Sequence, residues 1–203
     1  MSTEPTVTRI RRIVIRTLLL ASVAQFADCA GEPAAPRIAM ADSGPVLDLP
    51  GPMRDALQAY APAFTPWRLP DYNTEVAARA QGPGAIPLFA AAGDFNGDGV
   101  PDLVLQGHDA VNELSFVILS VQRTFTVIEL LRQPLLPEPR SAERRAYVQH
   151  VGPGTVDVPA GLAAEVGPPP TLTTDAFAEV FEGEAGMLYY WKDGTFLQYP
   201  LGD

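Results

Sequence analysis

Cysteine, histidine and lysine are nearly missing from this chain. Its 203 residues hold one cysteine, Cys29, two histidines, His108 and His150, and one lysine, Lys192. A single cysteine excludes an intramolecular disulfide and a cysteine zinc cluster. Two distant histidines lack the spacing of a histidine zinc site. No nucleophile elbow of the Gly-x-Ser-x-Gly type, phosphate-binding P-loop or dinucleotide fingerprint occurs. The glycine-rich stretches are also proline-rich, which marks turns. Acidic residues are plentiful, but their spacing singles out no catalytic pair. His108-Asp109 is the one neighbouring pair a catalytic element could draw on, with a surface loop as the ordinary reading. His150 stands at the end of an expected strand, before Gly152-Pro153-Gly154. Catalytic residues stay unassigned.

Basic charge is scarce as well. Asp and Glu number 24 against 14 Lys and Arg, a net charge of −10. Four of the arginines (Arg9, Arg11, Arg12, Arg16) and only two acids (Glu4, Asp28) fall in residues 1–28, so the rest carries 10 basic and 22 acidic residues, a net −12. Phosphate binding needs clustered Lys and Arg, so this balance disfavours nucleic acid and anionic membranes and favours cations. Solubility alone explains it equally well. The excess of Arg over Lys reads as the codon bias of a GC-rich, bacterial genome.

The apolar run at 17–24 is too short to span a bilayer. Behind the four arginines, and ending in Ser22-Val23-Ala24, it reads as an export signal over 1–28. Arg11-Arg12 gives it a faint twin-arginine character. The expected location is periplasmic or extracellular. Two readings of Cys29 stay open. It is the lipid-bearing cysteine of a surface-anchored lipoprotein, which Ala27 and the Pro/Ala/Gly-rich stretch after it fit and Asp28 and Phe26 do not, or it does little within the leader. Lipid on Cys29 would be the only link to a membrane.

The most informative run is Asp94-Phe95-Asn96-Gly97-Asp98-Gly99-Val100-Pro101-Asp102. Oxygen side chains occupy its first, third, fifth and ninth positions. Ca²⁺ takes six to eight oxygens at about 2.3–2.6 Å. Alternate residues of a curled loop point inward, so Asp94, Asn96 and Asp98 can converge, with the Val100 carbonyl next and Asp102 closing the shell. Gly97 and Gly99 permit the positive φ that the curl needs. Three carboxylates in nine residues repel one another without a cation. An EF-hand would place Glu at the twelfth position, which is Leu105, so that reading fails. The flanks, 87–93 and 103–105, are strand-like, giving strand–loop–strand.

The stretch 91–105 resembles the FG-GAP/VCBS-type calcium-binding repeat of integrin α-subunits and many secreted bacterial proteins. The resemblance implies Ca²⁺ held by Asp94, Asn96, Asp98, Val100 (carbonyl) and Asp102. Family members often carry several copies forming a propeller of about 40–50 residues per blade. One copy occurs here, with too little chain for most propellers, so the propeller is not carried over.

Residues 29–51 read as an irregular tether and 52–203 as one α+β domain, mainly antiparallel sheet with short helices before it. Gly51-Pro52 opens a helix with Met53, Leu57 and Tyr60 inward, stopped by Pro62. A second short helix is expected at 73–80. Strands are expected at 114–121, 124–131, 145–151 and 177–181, a turn around Arg123, a surface excursion at 133–143 and a long loop at 152–170. At the C-terminus, 187–192 and 195–199 flank Asp193-Gly194, type I′ hairpin chemistry, pairing Trp191 with Phe196 and Tyr190 with Leu197. Both faces of this hairpin are apolar or aromatic. One face joins the core, and the other is partly covered or offers a patch to a glycan or protein partner. The leading expectation is an exported calcium-binding module, structural or ligand-binding and non-enzymatic. The alternatives are a Ca²⁺-stabilised secreted hydrolase and an envelope inhibitor or adhesion protein.

Overall fold

The computed structural model describes residues 35–41, 44–122, 124–135 and 144–202. The expected export signal at 1–28, Cys29, Arg123 and residues 136–143 lie outside them. Two antiparallel sheets stack face to face, and the outer face of each is covered by smaller elements.

Residues 37–48 correct one expectation. Within the stretch read as an irregular tether, β1 (Arg37–Ala41) and β2 (Gly44–Asp48) form an antiparallel hairpin, with Ile38 opposite Leu47. Ile38, Met40 and Leu47 pack on the first core. Alternating apolar residues buried on one face outweigh the local Pro/Ala composition. The expected helix follows as α1 (Gly51–Tyr60), with Pro52 in its first turn and Met53 and Leu57 buried. The second helix is α2 (Thr74–Ala78), started by Asn73, whose side chain accepts the Val76 N–H at 2.8 Å.

The first sheet holds β3 (Thr65–Pro66), β4 (Ala90–Gly93), β5 (Asp102–His108), β6 (Asn112–Val121) and β7 (Thr124–Pro134). Its order is β3-β5-β6-β7, and β4 pairs with β5 beyond the end of β3. The second sheet holds β8 (Ala146–Val151), β11 (Ala176–Phe181), β12 (Gly186–Lys192) and β13 (Thr195–Gly202), in the order β13-β12-β11-β8. Between β8 and β11 lie β9 (Gly154–Thr155), α3 (Ala160–Val166) and β10 (Thr171–Leu172), with β9 paired to β10. Residues 152–170, expected as one long loop, thus carry a helix. Its Pro159 and Gly167 stand at the two ends of that helix as punctuation.

Period-two alternation sorts the strands between cores. Leu103 and Leu105 of β5, and Leu114, Phe116 and Ile118 of β6, face the helices and the β1–β2 hairpin. Val104, Val117 and Leu119 face the second sheet, where they meet Val148, Phe177, Tyr189 and Phe196. The outer face of the second sheet places Ala176, Leu188 and Tyr199 against Val156 and Leu172. Sequence-adjacent antiparallel strands and, among the described residues, three short α-helices make this the expected mainly-β, α+β fold. The C-terminal hairpin has the expected register, Trp191 opposite Phe196 and Tyr190 opposite Leu197. Asp193 and Gly194 take φ of +52° and +80°, as a type I′ turn requires.

Candidate metal centre

The run 94–102 leaves β4 and returns as β5, so β4–β5 pairing pins both of its ends, with Gly93 opposite Asp102. Gly97 and Gly99 take φ of +78° and +82°, closing the curl. The acceptors turn inward on the loop's own backbone. Asp94 Oδ1 accepts the N–H groups of Gly97 and Asp98 at 2.8 and 3.0 Å, and its Oδ2 accepts Gly99 N–H at 2.9 Å. Asn96 Oδ1 lies 3.0 Å from the same Asp98 nitrogen. Asp98 Oδ1 accepts Val100 N–H at 2.9 Å, and its Oδ2 accepts the Ser120 hydroxyl. Oxygens of Asp94 and Asn96 therefore meet at the Asp98 N–H, while the Asp98 carboxylate turns to Val100 and Ser120.

Asp102 plays a different part. It is fully buried, and its carboxylate accepts Phe95 N–H at 2.8 Å, Asn96 N–H at 3.4 Å and, from β6, Ser120 N–H at 2.7 Å. Burial pushes its carboxyl up to about 7, the three N–H donors pull against that, and the charge of Asp98 adds to the rise. Val100, expected to offer its carbonyl, sits half-buried on the rim.

Three residues that sequence reasoning missed complete the setting. Ser120, from the end of β6, touches Asp98 through its hydroxyl and Asp102 through its N–H, and its carbonyl accepts the Asn96 side chain at 2.5 Å. Thr174 donates its hydroxyl to the Phe95 carbonyl at 3.0 Å. Asp175 accepts Asp94 N–H at 2.9 Å and pairs with His150 Nε2 at 3.0 Å. The segment 174–175 packs so closely that a Cβ on Gly97 would lie 2.8 Å from the Thr174 methyl, and one on Gly93 2.9 Å from Asp175. These partners lie 18 to 81 positions from the residues they touch, with no local pattern to mark them.

The histidines part company. His150 joins the loop's surroundings through Asp175. His108 stands at the far end of β5, six residues or about 20 Å from Asp102. Its ring packs on Trp67 at 4.6 Å, and its Nδ1 meets the Asp109 carbonyl. The Asp109 carboxylate accepts the N–H groups of Val111 and Asn112. The pair His108-Asp109 thus serves the β5–β6 turn, and the two side chains do not meet.

The fit to Ca²⁺ is one of chemistry. The donors are hard oxygens, and a carboxylate oxygen that accepts one N–H keeps a lone pair for a cation. Among the described residues no Arg, Lys or His pairs with Asp94, Asp98 or Asp102, although six Arg–carboxylate pairs and the His150–Asp175 contact form elsewhere. Also among the described residues, no group of three or more His, Cys, Asp or Glu side chains is gathered tightly enough to hold a metal ion. The carboxylates are spread around the curl, each against backbone N–H groups.

The fold is therefore a mainly antiparallel α+β stack of two sheets with an acidic strand–loop–strand turn at one edge. Comparison with protein-family models, with curated proteins and with solved structures gives no match for this chain.

Proposed function

We propose that this chain is an exported, calcium-binding module in which Ca²⁺ staples the loop 94–102, and that its role is structural or ligand-binding and non-enzymatic. The observation that carries the reading is the crowding of Asp94 and Asp98, with buried Asp102 behind them, as carboxyl groups on one curl without a basic partner among the described residues. Asp94, Asn96 and Asp98 are the first ligands on this reading, with the Val100 carbonyl. Asp102 joins them by giving up part of its backbone hydrogen bonding. The cation relieves the repulsion and ties β4 to β5, and through Ser120 to β6. The basic, apolar leader at 1–28 supports delivery to a compartment that contains calcium.

Extracellular sites of this kind bind with dissociation constants of about 10⁻⁴–10⁻³ M. At about 1 mM Ca²⁺ such a site adds roughly 0.4–1.4 kcal/mol to the stability of the folded state. The expected result is a Tm higher by about 1–6 °C in calcium than in EDTA. The shift should vanish in the Asp94→Asn, Asp98→Asn double variant. Equal melting temperatures for the wild-type protein in calcium and in chelator would sink the reading.

A further inference from the structure

We propose that the cleft between residues 168–174 and the outer face of the C-terminal hairpin binds a saccharide bearing a carboxylate. The cleft has a volume of about 470 Å³, inside the roughly 300–1,000 Å³ usual for small-molecule sites. One wall is Tyr190, whose phenol is half-exposed and held above its ordinary pKa by burial, so it stays a neutral donor. Tyr199 forms the floor, its hydroxyl donating to the Gly167 carbonyl at 2.7 Å. Pro168 and Pro170 stand among the facing residues. Thr171 and Thr173 are exposed on either side of the buried Leu172, so alternation sets their hydroxyls on one face.

Charge selects the ligand. The chain is rich in acids, yet among the described residues none lines this cleft. Its one lysine, Lys192, does. An ammonium lining the same cleft as an aromatic ring and two hydroxyls matches a sugar ring with a carboxylate. The apolar face of the ring covers Tyr190, its hydroxyls meet Thr171 and Thr173, and its carboxylate meets Lys192 in a charge-assisted bond. A proline-rich peptide fits less well, because such ligands dock between exposed aromatic ridges. The larger ring, Trp191, also borders the cleft, but it packs edge-on against Phe196 at 5.0 Å and joins the core between the sheets.

The single lysine makes a direct test available. Reductive methylation with ¹³C-formaldehyde labels Lys192 and the terminal amine and keeps their charge, so Lys192 gives one side-chain NMR signal. The full chain is first screened on an array of uronic-acid, sialylated and neutral oligosaccharides, then titrated with the best acidic binder and its neutral counterpart. The expected result is retention of acidic over neutral glycans and a saturable shift of the Lys192 signal. Lys192→Gln, an exposed position, should weaken the acidic ligand about tenfold and leave the neutral one unchanged. Tyr190→Leu, checked for folding by circular dichroism, should weaken both. The proposal is overturned if no acidic glycan is retained above the neutral ones, if binding leaves the Lys192 signal unmoved, or if Lys192→Gln binds the acidic ligand like wild type. Capture of polyproline in place of glycans overturns it too. Thr174 borders the cleft and also touches the loop at Phe95, so the titration is run in calcium and in EDTA, and the Lys192→Gln comparison within each condition separates the two proposals.

Discussion

Replacing Asp102 by alanine tests the account of the loop most directly. The carboxylate is fully buried, and its two short hydrogen bonds come from Phe95 N–H at 2.8 Å and Ser120 N–H at 2.7 Å. Both are backbone donors that no solvent replaces once the side chain is gone. An orphaned buried donor costs about 1–3 kcal/mol, so two cost roughly 2–6 kcal/mol. The third bond, from Asn96 N–H at 3.4 Å, adds little. A loss of that size is a large share of the about 5–15 kcal/mol that holds a domain folded. The assay is urea unfolding in EDTA, with the midpoint and slope compared between variants. Chelator matters, because the argument concerns backbone N–H groups and predicts the loss without any cation. The control is Asp98→Asn. Asp98 is exposed, so water can take over its role, and the expected loss is below about 1 kcal/mol in EDTA. The reasoning is refuted if Asp102→Ala loses less than about 1 kcal/mol, or if Asp98→Asn loses as much as Asp102→Ala.

Two further outcomes follow from packing and charge. Gly107 of β5 lies so close to its neighbours that a Cβ there would sit 2.3 Å from the Thr65 carbonyl oxygen and 2.5 Å from the Phe64 ring. Gly107→Ala should therefore destabilise by about 1–3 kcal/mol or more, read as a lower Tm, and a change under about 0.5 kcal/mol would contradict the close approach. Glu179, on β11, accepts a hydrogen bond from Gln106 at 2.7 Å. Burial holds its carboxyl above the ordinary range, and the charge of Glu113 adds to this. The folded state thus keeps that proton more tightly than the unfolded chain. The contribution of Glu179 is fully present below the ordinary carboxylate range and is lost as pH rises through the raised value. Glu179→Gln cannot ionise, so its stability relative to wild type should improve from pH 4 to pH 8, measured by urea unfolding. Parallel pH profiles for the two proteins would contradict this.

Much of the fold was legible because its signals are local. Met53 and Leu57 repeat at helical spacing and are buried in α1. Asp193-Gly194 specifies a two-residue turn, and the turn fixes the pairing of Trp191 with Phe196. The hairpin at 37–48 was hidden because its Pro, Ala and Gly match a tether. Only contact with the helical side of the first sheet decides in favour of strands. The helix at 160–166 was hidden by the Gly and Pro residues that bound it. At the loop, the spacing of Asp94, Asn96, Asp98 and Asp102 with Gly97 and Gly99 announced a curl of inward oxygens. Spacing could not assign different work to those oxygens.

The sequence by itself determined the strand–loop–strand turn, its concentrated negative charge and the mainly-β framework, since each is written within a dozen neighbouring residues. The tertiary structure decided the rest. It buried Asp102 under Ser120, brought Thr174 and Asp175 against the loop, separated His108 from it, and placed Lys192 in one cleft with Tyr190 and Thr171. Those contacts join residues up to 81 positions apart. They exist only because two sheets stack and bury their facing side chains, an energy that no short stretch of the chain holds alone.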